Sequence, residues 1–192
     1  MLPSGMHDLV NLRHLDIRGC YFLTEMPKEM SKLKQLNSLS DYIVGKDEEN
    51  GIRELGTMDN LHRSFCISQL ENVKNCGEAS EAKMGNKKHI NTLNLKWNPI
   101  VGYDSAQTQR DILDKLQPHE NLKELSIERY PSEAFSDWLG LSRYSKMTKL
   151  SLYYCTNCCE LPSLQHLRIS QFDRLEKIDF EFYSRNNNGS FQ

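Results

Sequence analysis

Leucine constrains this chain more than any other residue. Of 192 residues, 25 are leucine, against 4 valines and 4 alanines. Parallel sheets buried on both faces draw on Val and Ile, and helical bundles draw on Ala, so neither core fits. The apolar fraction of 38% is low for a compact globule but far above that of a disordered chain. A core carried by leucine alone must be explained by where the leucines stand.

They stand in a recurring frame. Leu9, Leu12, Leu15, Ile17 and Cys20 follow L-x-x-L-x-x-L-x-I-x-x-C. Lys87, Ile90, Leu93, Leu95 and Asn98 take the same offsets, as do His119, Leu122, Leu125, Ile127 and Tyr130. Tyr144, Met147, Leu150, Leu152 and Cys155 follow, then Leu161, Leu164, Leu167, Ile169 and Phe172. Two copies are degenerate: Met58 and Leu61 reach Phe65 and Ile67 with one extra residue, and Leu33, Leu36 and Leu39 lack a clean strand pair afterwards. This is the leucine-rich-repeat template. In L-x-L, two apolar residues flank a polar one, as a strand with one buried face requires. One such turn cannot bury its apolar face alone, so the turns must stack.

The expected fold is therefore α/β: a horseshoe-shaped leucine-rich-repeat solenoid, with a parallel β-sheet on the concave face and irregular loops and short helices on the convex face. About seven irregular repeats cover residues 1–183, and 184–192 form a truncated, disordered tail. The first strand residues fall at 15, 39, 65, 93, 125, 150 and 167, spaced 24, 26, 28, 32, 25 and 17 apart. The longer spacings predict convex insertions. Residues 78–88 read as a helix, with Glu78 and Glu81 early and Lys83, Lys87 and Lys88 late to suit the helix dipole. Residues 106–116 read as a second, with Ile112, Leu113 and Leu116 on one face, Ser105 as N-cap and Pro118 beyond its end. The spacing of 17 predicts a tight, poorly formed turn.

Several functions are excluded at this level. With 24 basic and 26 acidic residues, the chain has no global field to draw in nucleic acid. No run of 18 apolar residues exists to span a membrane, and Met-Leu-Pro-Ser-Gly-Met-His-Asp is not a signal peptide. Six cysteines, at 20, 66, 76, 155, 158 and 159, read as reduced thiols of an intracellular protein. Cys155-Thr-Asn-Cys158-Cys159 has no second pair, and His166 alone does not complete a zinc site. Cys155 shares its repeat offset with Cys20, which makes it part of the repeat. The remaining histidines, His7, His14, His62, His89 and His119, are scattered, and no H-E-x-x-H or G-x-S-x-G occurs. No enzyme, metal or catalytic residue is expected. Asp47-Glu48-Glu49 lacks the EF-hand pattern and reads as a solvated loop, and the Asn188-Gly-Ser190 sequon as chance.

Strand alternation turns the polar residues outward. The central column is Asp16, Cys66, Asn94, Ser126, Ser151 and Arg168; the next is Arg18, Ser68, Lys96, Glu128, Tyr153 and Ser170; the one before is His14, Ser64, Thr92, Glu124, Lys149 and His166. Solenoids present such faces to partners. The candidate protein-binding residues are Asp16, Arg18, Asn94, Lys96, Glu124, Ser126, Glu128, Lys149, Ser151, Tyr153, Arg168 and Ser170. Trp97, Tyr130, Tyr153 and Tyr154 are candidate aromatic anchors, with Trp97 and Tyr130 equally able to pack under the following loops.

Four strings carry a family resemblance: LPSGMHDLVNLRHLDIRGC with LTEMPKEMSKLKQLNSLSDYIVG, GIRELGTMDNLHRSFCISQLENV with EASEAKMGNKKHINTLNLKW, DILDKLQPHENLKELSIERYPSEAFSDWL, and KLSLYYCTNCCELPSLQHLRIS. Over about residues 1–183 the chain resembles the leucine-rich-repeat region of plant intracellular immune receptors of the coiled-coil NLR type. The resemblance implies a sensor and autoinhibitory module in defence against pathogens, cytoplasmic, with a pathogen effector or a host protein as partner, and the receptor's own nucleotide-binding domain as a second. ADP or ATP would bind only that domain. No P-loop occurs here, since Gly45-Lys46 runs into Asp47 without the upstream glycine. The family usually has an additional Leu-Pro-containing stretch between the strand at 150–152 and the Leu-Pro-Ser-Leu at 161–164; its lack here accounts for the spacing of 17. The competing expectations are a ubiquitin-ligase adaptor, a secreted receptor ectodomain, or a truncated remnant without function. Both ends are expected to be uncapped, with fraying after Leu167.

Overall fold

The computed structural model describes residues 2–98, 106–158, 160–161, 167–170 and 177–178. Its strands are β1 (His14–Leu15), β2 (Ser38–Leu39), β3 (Asp41–Ile43), β4 (His62–Ser68), β5 (His89–Lys96), β6 (Glu124–Glu128), β7 (Lys149–Tyr153), β8 (Glu160–Leu161), β9 (Leu167–Ser170) and β10 (Lys177–Ile178). The main sheet runs β3-β4-β5-β6-β7-β9, and β1 with β2 and β8 with β10 form two further pairs. Every pairing is parallel. The fold is the expected α/β leucine-rich-repeat solenoid.

The leucine frame sets the register. Leu93 pairs with Leu125, Leu125 with Leu150, and Leu150 with Leu167. One step on, Ile67 pairs with Leu95, Leu95 with Ile127, Ile127 with Leu152 and Leu152 with Ile169. Phe65, Ile67, Leu93, Leu95, Leu125, Ile127, Leu150 and Leu152 are all buried. The turn of 17 residues keeps the same register as its predecessors, although its connection through 162–166 lies outside the described residues. So do Cys159, His166, Ser105 and the tail at 184–192.

Both degenerate copies keep two inward side chains by inserting one residue. In the second repeat the inward pair is Leu39 and Tyr42, three apart instead of two, with Ser40 and Asp41 between them. Tyr42 donates its hydroxyl to the carbonyls of Asn50, at 3.2 Å, and Gly51, at 2.9 Å; its phenol, raised mainly by burial, stays protonated. A large ring with a partnered hydroxyl fills the slot that leucine fills elsewhere, which hides the repeat from a leucine count. In the third, the register against β5 shifts between Arg63 and Ser64, and Arg63 takes a left-handed backbone, φ 67°. A bulge of this kind absorbs one extra residue.

The convex side is mostly short 3-10 turns, such as Met30–Lys32, Ile52–Thr57 and Leu70–Asn72. The helix expected at 78–88 is corrected: α1 is Cys76–Glu81. It starts earlier because Asn75 caps it, its side chain accepting from the Glu78 N–H at 3.0 Å. It ends earlier because Ala79 and Ala82 are buried and Lys83 turns left-handed, φ 50°. Met84–Asn86 then forms a 3-10 turn. The second helix, α2, runs Ala106–Lys115 as expected, with Ile112, Leu113 and the following Leu116 fully buried.

Lys87 is a second correction. The charge gradient over 78–88 places it in the last turn of a helix, yet it lies beyond α1, its side chain is buried, and its ammonium donates to the carbonyls of Leu55, at 2.7 Å, and Met58, at 3.3 Å. It occupies the repeat offset of Leu9, so its aliphatic stem fills the core while its head satisfies carbonyls of the preceding turn. Side-chain amides do related work: Asn72 donates to Val44 O at 2.8 Å, and Asn157 to Pro131 O at 3.0 Å. Each bond joins one turn to the one before it.

Two predictions follow from this packing. At Gly56 a Cβ would stand 2.4 Å from the Glu81 carbonyl oxygen, whereas at Gly85 the nearest atom, Gln117 O, is 3.8 Å away. Gly56→Ala should lower stability by about 1–3 kcal/mol, and Gly85→Ala should leave it unchanged or slightly raised, measured by urea unfolding. Burial, opposed by Asp59, lowers the Lys87 pKa from 10.5 to about 8. Between those two values the unfolded chain binds more protons, so stability should rise with pH across that window. Lys87→Ala should cost about 2–4 kcal/mol through lost volume and orphaned carbonyls. In unfolding titrations the variant should also lose the alkaline rise.

Candidate functional site

The sheet brings the expected concave columns into real rows. Asn94 pairs with Ser126 and Ser126 with Ser151; Lys96 pairs with Glu128 and Glu128 with Tyr153; Thr92 pairs with Glu124 and Glu124 with Lys149. Arg168 and Ser170 align with Ser151 and Tyr153 by strand register. Asp16 and Arg18 follow β1 and pair with each other at 2.5 Å, on exposed side chains. The Arg18 side-chain hydrogen bond, followed by its backbone N–H, holds Asp16 far below the usual carboxylate range.

The charges on this face largely neutralise one another. Lys96 Nζ lies 3.3 Å from Glu128 Oε2, and Lys149 Nζ 3.9 Å from Glu124 Oε2. Arg129 also pairs with Glu128, and its guanidinium sits 5.3 Å above the centre of the Tyr154 ring. Exposed pairs of this kind add little stability. They do fix the pattern of donors and acceptors that an approaching surface meets.

Two positions of the central column, the candidate Ser151 and Cys66, stand differently from expectation. Ser151 is only 2% exposed; a short side chain with strands on both sides lies beneath the longer Glu124, Lys149, Glu128 and Tyr153. Its hydroxyl has no hydrogen-bond partner among the described residues. Cys66 is also buried, and burial, the leading cause, pushes its thiol up to about 12. Asp41 was missed because its repeat is degenerate. The extra residue of that turn places it opposite Cys66, in line with the central row.

The aromatic candidates divide. Trp97 and Tyr130 are core, 2% and 1% exposed, with ring centres 5.1 Å apart in an edge-to-face arrangement. Trp97 donates its indole N–H to buried Gln109 Oε1 at 2.9 Å, and Tyr130 stacks on Phe135 at 5.2 Å. Tyr153 is half-buried on the concave face, and Tyr154 is 47% exposed. Tyr154 stands at a corner that the sequence marks only once. Gly19, Gln69, Arg129 and Tyr154 each lie four residues past the first inward strand residue, and each takes a left-handed backbone, φ 79°, 59°, 58° and 55°. A glycine announces this conformation, but three of the four corners carry large side chains.

The Cys155–Cys158 reading is sharpened. Cys155 is buried and its thiol donates to Ile127 O at 3.7 Å, joining one repeat to the previous. Burial raises it to about 11. Cys20, at the same offset, is exposed because β1 pairs with β2 alone among the described strands. No group of three His, Cys, Asp or Glu among the described residues could hold a metal ion, and no helix among them is long and apolar enough to cross a membrane.

Known proteins share this pattern. The family profile described as R13L1/DRL21 LRRs matches residues 52–182, and a general Leucine Rich Repeat profile matches residues 11–33. An Arabidopsis thaliana protein named for disease resistance, At3g14460, is 35% identical over 168 residues, covering 81% of this chain and 12% of that protein. The Arabidopsis thaliana protein named for disease resistance as RPP13-like protein 1 is 32% identical over 157 residues, 74% of this chain and 15% of its own length. RGA1 of Solanum bulbocastanum, also named for disease resistance, is 33% identical over 224 residues, 88% of this chain and 22% of its own length. The chain thus spans between about an eighth and a quarter of the relatives it matches.

The division of aromatics is testable by unfolding. Trp97→Ala should lower stability by about 3–5 kcal/mol, because it empties a core slot and strands Gln109. Tyr154→Ala should change it by less than about 1 kcal/mol. Equal losses at the two positions would place Tyr154 in the core as well.

Proposed function

Because the chain belongs to the R13L1/DRL21 leucine-rich-repeat family, we propose that it is a non-enzymatic protein-recognition module of a plant disease resistance protein, working in the cytoplasm. The partner is a pathogen effector, or a host protein that an effector alters, met on the concave face. A second partner, in a full receptor, is the receptor's own nucleotide-binding domain, which would hold ADP or ATP; this module takes no cofactor itself. One observation supports this reading above others: Asn94, Lys96, Glu124, Ser126, Glu128, Lys149 and Tyr153 stand in register on three adjacent strands. Four of them are locked in mutual ion pairs. Pre-set side chains lose less freedom on binding, and a fixed alternation of charge gives specificity more than raw affinity.

The mechanism is selection by pattern. A partner must present a carboxylate opposite Lys96 or Lys149 and a donor opposite Glu124 or Glu128, and a mismatched surface leaves desolvated charge unpaired. Tyr153 supplies apolar area beside these charges, as interface aromatics do.

The test is a variant in which Lys96→Glu is combined with Glu128→Lys, and Glu124→Lys with Lys149→Glu. Both pairs survive in reversed sense and only the surface Arg129–Glu128 contact is lost, so the fold should survive, but the pattern is inverted. Proteins captured by the chain in a two-hybrid screen of infected plant tissue, then purified, should lose at least tenfold in affinity for the inverted variant, about 1.4 kcal/mol. Partners that bind both forms alike would remove the concave face from the proposal. Calorimetry with ATP should show no binding, and tight binding would overturn the non-enzymatic reading.

A further inference from the structure

The rim where the chain enters the sheet carries a charge that the concave face does not. The start of β4 and the turns leading into β5, β6 and β7 lie side by side and bring together Arg63, Lys88, Lys123 and Lys146, all exposed. Contacts between neighbouring turns fix their adjacency. His62 lies opposite His89 in register and the rings stack with centres 4.4 Å apart. Asn121 donates to Lys88 O at 3.2 Å and accepts from Lys146 Nζ at 2.6 Å. The Lys123 carbonyl accepts the Thr148 N–H at 2.8 Å, and the Lys123 N–H donates to Asn91 O at 2.9 Å.

These cations are uncompensated. None of the four makes an ion pair with another described residue, while the carboxylates close by, Asp59 and Glu124, are taken by Lys87 and Lys149. Glu120, exposed in the turn before β6, is the carboxylate that remains there. His89 feels the field: burial first, then His62, Lys88 and His119, hold it below its ordinary value. A local positive potential therefore stands on a chain whose net charge is −2.

We propose that this rim is a second docking surface, separate from the concave face, for an acidic segment of a partner polypeptide. Neighbouring strands lie about 4.8 Å apart, so cations spread over four strand starts span about 14 Å; an extended chain repeats same-face side chains every 6–7 Å or so. Acidic residues at alternate positions of an extended segment therefore reach across the whole row. Nucleic acid fits less well. Non-specific strand binding combines a basic groove with aromatic stacking platforms; the four-residue row holds no aromatic beyond the His62–His89 pair, whose faces are turned on each other. The surface stands on its own contacts and does not depend on the concave reading.

The test uses the full chain and a labelled peptide of alternating Glu and Ser, about a dozen residues long, with its Gln–Ser counterpart and a single-stranded oligonucleotide of matching charge. Fluorescence anisotropy at low salt should show binding of the acidic peptide and not of the Gln form, weakening steeply as salt is added. Arg63→Gln, Lys88→Gln, Lys123→Gln and Lys146→Gln together should weaken it at least tenfold, or about 1.4 kcal/mol. A control with Lys46→Gln, Lys74→Gln, Lys83→Gln and Lys115→Gln, exposed away from this rim, should leave it nearly unchanged. Equal loss in both variants would reduce the effect to net charge and overturn the proposal, as would tighter binding of the oligonucleotide. Circular dichroism confirms that both variants are folded, and the charge-inverted concave variant should bind the acidic peptide as the parent does.

Discussion

Everything in this molecule hangs on one parallel ladder of backbone hydrogen bonds, whose register two inward side chains per turn enforce. A shift of one residue would send Leu93 and Leu95 outward and Asn94 into the core, so each turn has a single acceptable position against its neighbour. With that register fixed, the connections are free to differ in length. Among the described residues they do so as 3-10 turns, two short helices and one bulge, without disturbing the rows on the other face.

The ladder alone would leave the convex ends of the turns unpaired, and polar side chains close them. Lys87, Asn72, Asn157 and Cys155 all reach back to a carbonyl of an earlier turn. Three are at home in such a role by chemistry. Lys87 is there because a repeat position that normally holds leucine can also hold a long stem with a donor at its tip. The stability of the solenoid is thus distributed as nearest-neighbour links, each joining one turn to the last.

The legible part of the structure was the part the ladder controls. Leu15, Leu93, Leu125, Leu150 and Leu167 named their strands correctly because one side-chain shape must stack on its copy. The second repeat was obscured because Tyr42 substitutes an aromatic with a bonded hydroxyl one residue late, and Asp41 went unseen with it. Helix α1 was overextended because the charge gradient over 78–88 suits a helix dipole, whereas the buried Ala79 and Ala82 and the left-handed Lys83 decide where it stops. Ser151 was read as exposed by alternation, which sets the direction of a side chain but not the height of its neighbours. The rim of Arg63, Lys88, Lys123 and Lys146 leaves no periodic mark, since its residues come from different offsets and meet through stacking of the turns.

The left-handed corner shared by Gly19, Gln69, Arg129 and Tyr154 separates the path of the chain from its chemistry. Any unbranched side chain can occupy such a corner at modest strain, while β-branched residues are held out by their second Cβ substituent. The corner therefore permits a carboxamide, a guanidinium or a phenol ring to be displayed at the same point of the turns that share it, on the same left-handed backbone. In a stack of repeats that must conserve its core, this is a place where the surface can diversify without refolding the scaffold, closed only to proline, whose ring fixes φ negative, and to the β-branched valine, isoleucine and threonine.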